Sequence, residues 1–405
     1  MEKWETLDPK ILKSNKNFKL LILLIVLSAI GPFSMQIFIP ALPSIRLYFS
    51  EEISTVQLSL SLSMISIAIA SFISGPLSDR YGRKPVMISG LIVFLFGTLI
   101  AAASNSIVFL ILGRIIQASG GTIGITLSRA IVRDLWPENE ISKTLAQITL
   151  IMVLAPMIAP TLGASIISNF GWRWLFIYVF GGVTLILIFA ITLLPETKLA
   201  EKHNKSKTYT FGNIPQLLYS RLYVAYTMQS SFALAGFFTF IAATPYLMVD
   251  SMGYKISDYG TFFLMISGLF CLGNLGSIIL SKILSGKKLI LIGSVIAMMG
   301  AILMFIFLIS FDMTPQILFT TEAIIAFGNG LAVSSTSAGI VKVFPKVSGS
   351  ASGLSGSIQM LIGALFSQLV IINSIQTAQL MLSLILIAAL MSLASSSYIF
   401  FKENS

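Results

Sequence analysis

The sequence predicts an all-α integral membrane protein: twelve transmembrane helices in two six-helix, pseudo-symmetric halves. Three observations predict it. The 405 residues are 56% hydrophobic and only 10% charged, against about 25% charged in an ordinary soluble domain, so the chain could not cover a water-facing surface. Apolar windows long enough to cross a bilayer, about 20 residues each, recur between short polar breaks. Lys and Arg gather in alternate breaks, as they do on the cytoplasmic side of a membrane.

The first window, 20–43, follows a basic start (Lys10, Lys13, Lys16, Lys19). It is too long for a signal-peptide core and no small-residue cleavage site follows it, so it reads as a retained helix. The second, 54–77, ends at a tight basic break, and the third, 86–104, stops at Asn105-Ser106. Windows 107–130 and 142–168 flank a charged break, and Asn169-Phe170-Gly171 turns the chain into 173–194. The second half gives 222–249, 259–281, 288–310, 315–340, 350–373 and 377–401, with Asp312-Met313-Thr314-Pro315 marking one of its turns. The expected organisation is an N-terminal half (1–194), a cytoplasmic linker (195–221) and a C-terminal half (222–405). The linker carries Glu196, Lys198, Glu201, Lys202, Lys205, Lys207 and Arg221 and reads as solvated. Its Asn204-Lys205-Ser206 matches a glycosylation acceptor, which chance explains in a cytoplasmic segment.

Charge fixes the expected orientation. With both termini in the cytoplasm, 22 of the 26 Lys and Arg fall inside, while the outer breaks hold only Arg46, Arg173 and Lys255, and Arg114 is embedded. The net charge of +10 is therefore read as orientation and not as nucleic-acid binding. One cysteine, Cys271, permits no internal disulfide, and one histidine, His203, leaves almost nothing from which to build a zinc site or a catalytic triad. No cofactor or metal is expected, and no Gly-x-x-x-x-Gly-Lys-Ser/Thr loop is present for direct ATP drive. An integral-membrane enzyme is disfavoured because no buried His, Cys or paired carboxylates converge.

The halves echo each other. The basic loop Gly75 to Lys84 recurs as Gly276 to Lys288, and Arg114-Ile115-Ile116 with Gly120 is matched by Glu322-Ala323-Ile324 with Gly328. Such repeats, related by an axis along the membrane normal, are a transporter architecture.

The stretch Gly75-Pro76-Leu77-Ser78-Asp79-Arg80-Tyr81-Gly82-Arg83-Lys84 carries glycines for a tight turn and close approach. Its acid, Asp79, can hold nearby arginines such as Arg133 in one conformation. Almost residue for residue, it resembles the inner-loop signature of the major facilitator superfamily. Arg114-Ile115-Ile116-Gln117-Ala118-Ser119-Gly120 resembles the Arg-x-x-Gln-Gly-x-Gly motif of proton-coupled drug exporters, with Ala118 in place of a glycine. Arg129-Ala130-Ile131-Val132-Arg133-Asp134 follows it. Ala155-Pro156-Met157-Ile158-Ala159-Pro160-Thr161-Leu162-Gly163-Ala164 resembles the antiporter motif, and Ala155, Ala159 and Gly163 share one helix face. Pro40-Ala41-Leu42-Pro43 ends the first window. With Gly349-Ser350-Ala351-Ser352-Gly353 and Gln359, the pattern resembles the Bcr/CflA (bicyclomycin/chloramphenicol resistance) drug-efflux family over about residues 20 to 400, less tightly in the second half.

The resemblance implies a monomeric multidrug exporter of the bacterial inner membrane, a proton antiporter that rocks between access states and confers antibiotic resistance. Its partners would be the bilayer, protons and small apolar or amphipathic compounds, with no nucleic acid. Gln36 stands where the resembled family usually has an acid, and glutamine carries no proton. A metabolite importer or uncoupled facilitator of the same fold is the alternative, and a channel is a third. Of the sixteen acids only Glu322 lies within a window, where an ionisable group costs about 2.5–3.5 kcal/mol and marks function by default. It is a candidate for proton coupling with Arg114, or the two form a structural ion pair; both readings stand at this point. Met35, Gln36, Phe38, Gln117, Phe232, Phe237, Phe238, Tyr246 and Asn329 are the candidates for lining a cavity, where methionine and aromatic rings repack around varied ligands.

Overall fold

The computed structural model describes residues 15–197, 214–344, 347–372 and 377–402. The first half comprises α1 (Asn15–Phe38), α2 (Leu42–Phe49), α3 (Ile53–Tyr81), α4 (Arg83–Ala102), α5 (Ile107–Leu135), α6 (Glu138–Phe170) and α7 (Arg173–Leu193). The second comprises α8 (Ile214–Tyr219), α9 (Arg221–Tyr246), α10 (Ile256–Leu280), α11 (Gly286–Ser310), α12 (Pro315–Val343), α13 (Ser348–Leu369) and α14 (Thr377–Lys402). There is no strand among the described residues. Ten spans there are long and apolar enough to cross a membrane, the first running unbroken from Phe18 to Phe49. The other two predicted windows are helices as well: α6 holds a shorter apolar stretch, Ile158–Phe170, and α13 is diluted by serine and glycine.

Most helices outrun their apolar windows, because hydropathy registers only the hydrocarbon-facing part and polar turns continue beyond it. Two expectations are corrected. Pro40-Ala41-Leu42-Pro43 does not end the first span: a single 3-10 turn (Ile39–Ala41) bends into α2, with each proline in a first turn where its missing N–H costs nothing. Gly75 and Pro76 are not in a turn but inside α3, which runs through the motif to Tyr81. The reversal falls on Gly82 alone, at φ +97°, a conformation that glycine tolerates. The expected linker contributes α8, whose Leu217 is buried, while residues 198–213 lie outside the described ones. Ser106 and Thr314 accept hydrogen bonds from the backbone N–H of Phe109 and Ile317, capping α5 and α12 where the sequence offers Asn-Ser and Thr-Pro.

Within the first half α5 packs on α4, α3 and α1, and α6 on α1; within the second, α12 packs on α11 and α10, and α9 on α13 and α14. The pseudo-symmetry is visible in single atoms. A Cβ on Gly120 of α5 would strike the Gly90 carbonyl of α4, and one on Gly328 of α12 would strike the Gly293 carbonyl of α11. Small residues let these backbones touch.

The halves meet along α3–α13 and α6–α10. One end of the bundle, the basic end, carries Arg80, Arg83, Lys84, Arg133, Lys282, Lys287, Lys342 and Lys402. At the opposite, far end the halves are pinned by an ion pair, Arg46 with Asp250. Gln368 Nε2 donates to the Ser54 carbonyl (3.1 Å) and Thr161 Oγ1 to the Gly260 carbonyl (2.7 Å). Deeper in, Ser61 Oγ donates to Gln368 Oε1 (2.9 Å) and Ser357 Oγ to the Ala68 carbonyl (2.9 Å). Beyond Ala68, toward the basic end, α3 exposes Ile69, Ile73 and Leu77.

Candidate functional site

The predicted residues separate into a polar network at the basic end, a buried pair of lone charges and a packing face. The network forms where Gly82 lets α3 and α4 turn back on each other. Arg83 Nη1 pairs with Asp79 Oδ1 (2.8 Å), Arg83 Nε with Asp134 Oδ2 (3.0 Å), and Arg83 Nη1 also donates to Ser78 Oγ (2.5 Å). Arg83 is thus the arginine at the centre, holding acids from α3 and α5 at once. Arg133 is exposed, and Arg80 points outward over the ring of Tyr81 (5.2 Å). Glu196, which sequence reasoning left in the linker, caps α4: its two oxygens accept the backbone N–H of Arg83 (2.9 Å) and Lys84 (3.1 Å). A carboxylate suits a helix N-terminus, where free N–H groups and the helix dipole both favour negative charge. Thr197 adds a hydrogen bond to Asp134 (2.9 Å) and Lys84 Nζ one to the Ile191 carbonyl (2.7 Å). The signal available in sequence was an acid directly after the sixth window.

Arg114 of α5 is 2% exposed, lodged between α1 and α4. Its Nη1 donates to Gln117 Oε1 (2.5 Å) and toward the Ser34 carbonyl (3.5 Å), and Gln117 Nε2 donates on to Thr98 Oγ1 (2.9 Å). The guanidinium lies over the Phe38 ring at 4.1 Å, a cation–π contact. Its Nε has no hydrogen-bond partner, and neither has the Oε1 of Gln36, buried on α1. Met35 and Arg114 face one narrow cleft with Gly31, Ser34, Ser63 and Ala118. Of the predicted cavity residues, the structure brings Met35, Phe38 and Gln117 together around Arg114. Phe237 stands apart, its ring tilted against those of Phe238 (5.9 Å) and Phe263 (6.3 Å). Phe232 packs on Phe366 (6.0 Å). Tyr246 is buried at the far end of α9, and Asn329 is half-buried on α12.

Glu322 of α12 is 1% exposed, and its Oε2 has no hydrogen-bond partner. It does not reach Arg114: no ion pair joins the two, so the structural-pair expectation is not met in this conformation. The physical reason is that Arg114 is held inside the first half by Gln117, Ser34 and Phe38. On α6, Ala159 and Gly163 are buried on one face, with Gly163 against the Ile37 carbonyl of α1. Pro160 is buried beside them; the side chain of Pro156 lies outside the described ones.

The model of the Major Facilitator Superfamily matches residues 24–367. An uncharacterised MFS-type transporter, YdgK, of Bacillus subtilis is 30% identical over 87% of this chain and 88% of its own length. The bicyclomycin resistance protein homolog of Haemophilus influenzae is 27% identical over 91% and 93% of the two chains, and multidrug resistance protein D of Escherichia coli 24% over 86% and 87%. Two solved structures share the fold at low identity. A bacterial homologue of the human lysosomal transporter Spinster, inward-facing and unoccupied, has a TM-score of 0.75, 15% identity and covers 96% of this chain and 98% of its own. A D-xylose-proton symporter has a TM-score of 0.76, 14% identity and coverage of 95% and 98%. Matched by family model, by relatives and by fold along nearly its whole length, the chain belongs to the major facilitator superfamily, in the Bcr/CflA-like group that its motifs resemble.

Proposed function

We propose that this chain exports small apolar or amphipathic, drug-like compounds across the bacterial inner membrane in exchange for protons, working as a monomer by alternating access. The basic end faces the cytoplasm, with both termini there, so a structure pinned at its far end is the inward-facing state. The observation that carries the proton reading is Glu322, a carboxyl buried about two turns into the spanning helix α12 with its Oε2 lacking a hydrogen-bond partner. An acid in that setting is a functional group by default. Arg114 is the balancing cation in the other half, and rocking of the halves changes what each faces. The Arg83 network steadies the cytoplasmic ends of α3, α4 and α5, while Ala159, Pro160 and Gly163 keep the α6 contact tight.

Gln36, buried and unable to carry a proton, supports the rival reading of an uncoupled facilitator or metabolite importer. The deciding experiment uses the purified full chain in vesicles, with bicyclomycin as the probe and an imposed pH gradient of either sign. Accumulation against its concentration gradient, driven by protons and lost in Glu322→Gln, supports the exporter. Equilibration that ignores the pH gradient supports the facilitator.

A further inference from the structure

Resting on the reading of Glu322 as the proton site, we propose that Tyr259 is the positioning residue that links the Glu322 carboxyl to the contact closing the far end, Gly260 against Thr161. Tyr259 opens α10 and is completely buried, yet its hydroxyl has no hydrogen-bond partner. Its ring packs edge-on against Phe319 at 5.8 Å. Phe319 lies three residues before Glu322 on α12, so the two share a helix face. Glu322 therefore lies on the helix packed against α10, on the side where Phe319 meets Tyr259. Two buried polar atoms are thus left unmet on two helices that pack together, and leaving such atoms unmet is costly. One hydrogen bond between them would satisfy both.

The next residue along α10 explains why this matters for transport. The Gly260 carbonyl accepts the Thr161 hydroxyl at 2.7 Å, joining the second half to the first. A Cβ on Gly260 would stand 2.8 Å from Thr161 Cα, so the closure depends on close backbone approach at this point. Thr161 itself lies between Pro160 and Gly163 of the antiporter motif. When Glu322 gives up its proton to water, the carboxylate accepts the Tyr259 O–H in a charge-assisted bond; when Glu322 regains a proton, that charge assistance is lost and the bond weakens. Tyr259 keeps its proton throughout, and no covalent bond changes. The tyrosine is drawn toward or released from α12, and Gly260, one residue on, moves with it against Thr161.

The other titratable groups around Glu322 do not offer this link. On α9, Tyr246 has its hydroxyl unmet but leads outward to Asp250, which Arg46 holds; Tyr223 and Tyr226 lie at the opposite end of that helix. On α10, Asp258 caps the helix start by accepting the Lys255 backbone N–H (3.2 Å), and Cys271 is three turns farther toward the basic end. Neither α11 beyond Lys288 nor α13 carries a titratable residue.

The test reads the far end directly. Spin labels are placed at Asn169→Cys and Lys255→Cys of the full chain, with Cys271→Ala, in lipid nanodiscs, and their separation is followed against pH. Labelling of Glu322 by a hydrophobic carbodiimide is followed in parallel. The unaltered chain is expected to change separation with pH, and Glu322→Gln to lose that change. Tyr259→Phe, which removes a single oxygen, should lose it too while Glu322 keeps its pH-dependent labelling. Thr161→Val should behave like Tyr259→Phe, and Thr161→Ser like the unaltered chain. If Tyr259→Phe still follows pH while Glu322→Gln does not, the link through Tyr259 is overturned and the proton site stands. If Glu322→Gln follows pH as the unaltered chain does, the proton site itself is overturned, and this proposal with it.

Discussion

At the scale of the residue, the two buried charges obey different constraints. Arg114 is neutralised by no acid but is held by an amide, a carbonyl and an aromatic face, whereas Glu322 has an oxygen with no hydrogen-bond partner. Because they do not touch, Arg114→Gln and Glu322→Gln should shift thermal stability additively, within about 0.5 kcal/mol. Recovery in the double variant, measured by melting in detergent, would restore the ion-pair reading. Both residues were legible in the sequence, since a charge inside an apolar window is conspicuous. Their partners were not, because Ser34, Phe38, Gln117 and Thr98 are ordinary residues brought together by three different helices. The same holds at Asp79. Its partner Arg83 is four residues away and readable, but Arg83 also keeps Asp134, which only the packing of α5 reveals. Asp79→Asn should therefore cost about 1 kcal/mol and slow transport with little change in substrate affinity. Asp79→Asn with Asp134→Asn should cost clearly more than either alone. Separate measurement of rate and affinity checks this, and a weakened affinity at unchanged rate contradicts it.

At the scale of the element, periodicity and hydropathy found the long helices among the described residues, ten of them long and apolar enough to cross a membrane, and misjudged their ends. The first span was expected to stop at Pro40-Ala41-Leu42-Pro43. A proline in a first turn loses no hydrogen bond, so α2 simply begins again after one 3-10 turn. Likewise Gly75 and Pro76 suggest a turn by composition, but only Gly82 adopts the positive φ that makes one. The close-packed glycines are partly legible, since spacing by four places Ala159 and Gly163 on one face, while the identity of the facing helix is a tertiary fact. That fact sharpens a prediction. A side chain at Gly163 would press into the Ile37 carbonyl and stand 3.2 Å from Ile37 Cγ1, so Gly163→Leu should stop transport while the protein still inserts. The overpacking is worth about 1–3 kcal/mol. Gly163→Ala, which adds the same Cβ alone, should show a smaller loss in the same direction. Wild-type transport by the leucine variant, at equal expression, would remove α6–α1 packing from the mechanism.

At the scale of the whole molecule, the two halves must part at one end as they close at the other, and the far end is closed here by few polar contacts. Two of them, Gln368 with Ser54 and Thr161 with Gly260, use a backbone carbonyl on one side. Arg46 with Asp250 is the ion pair among them, between side chains each 31% exposed. The sequence placed both charges in outer segments but could not pair residues from different halves, because nothing local fixes how the halves face each other. A partly exposed pair contributes at most about 1 kcal/mol, yet since about 1.4 kcal/mol changes a population ratio tenfold, even this shifts a conformational equilibrium about fivefold. Asp250→Arg places like charges at the closure and should shift the population toward the state open at the far end. Arg46→Asp should do the same from the other half. The double exchange, Arg46→Asp with Asp250→Arg, restores opposite charges at the same distance and should return both the population and the transport rate toward the starting values. Spin-label separation across the far end, measured at low and high salt, is the check, since screening weakens an exposed pair. If the exchanged pair fails to recover what either single reversal loses, the contact is incidental, and the far end is held by the carbonyl contacts of Ser54 and Gly260 instead.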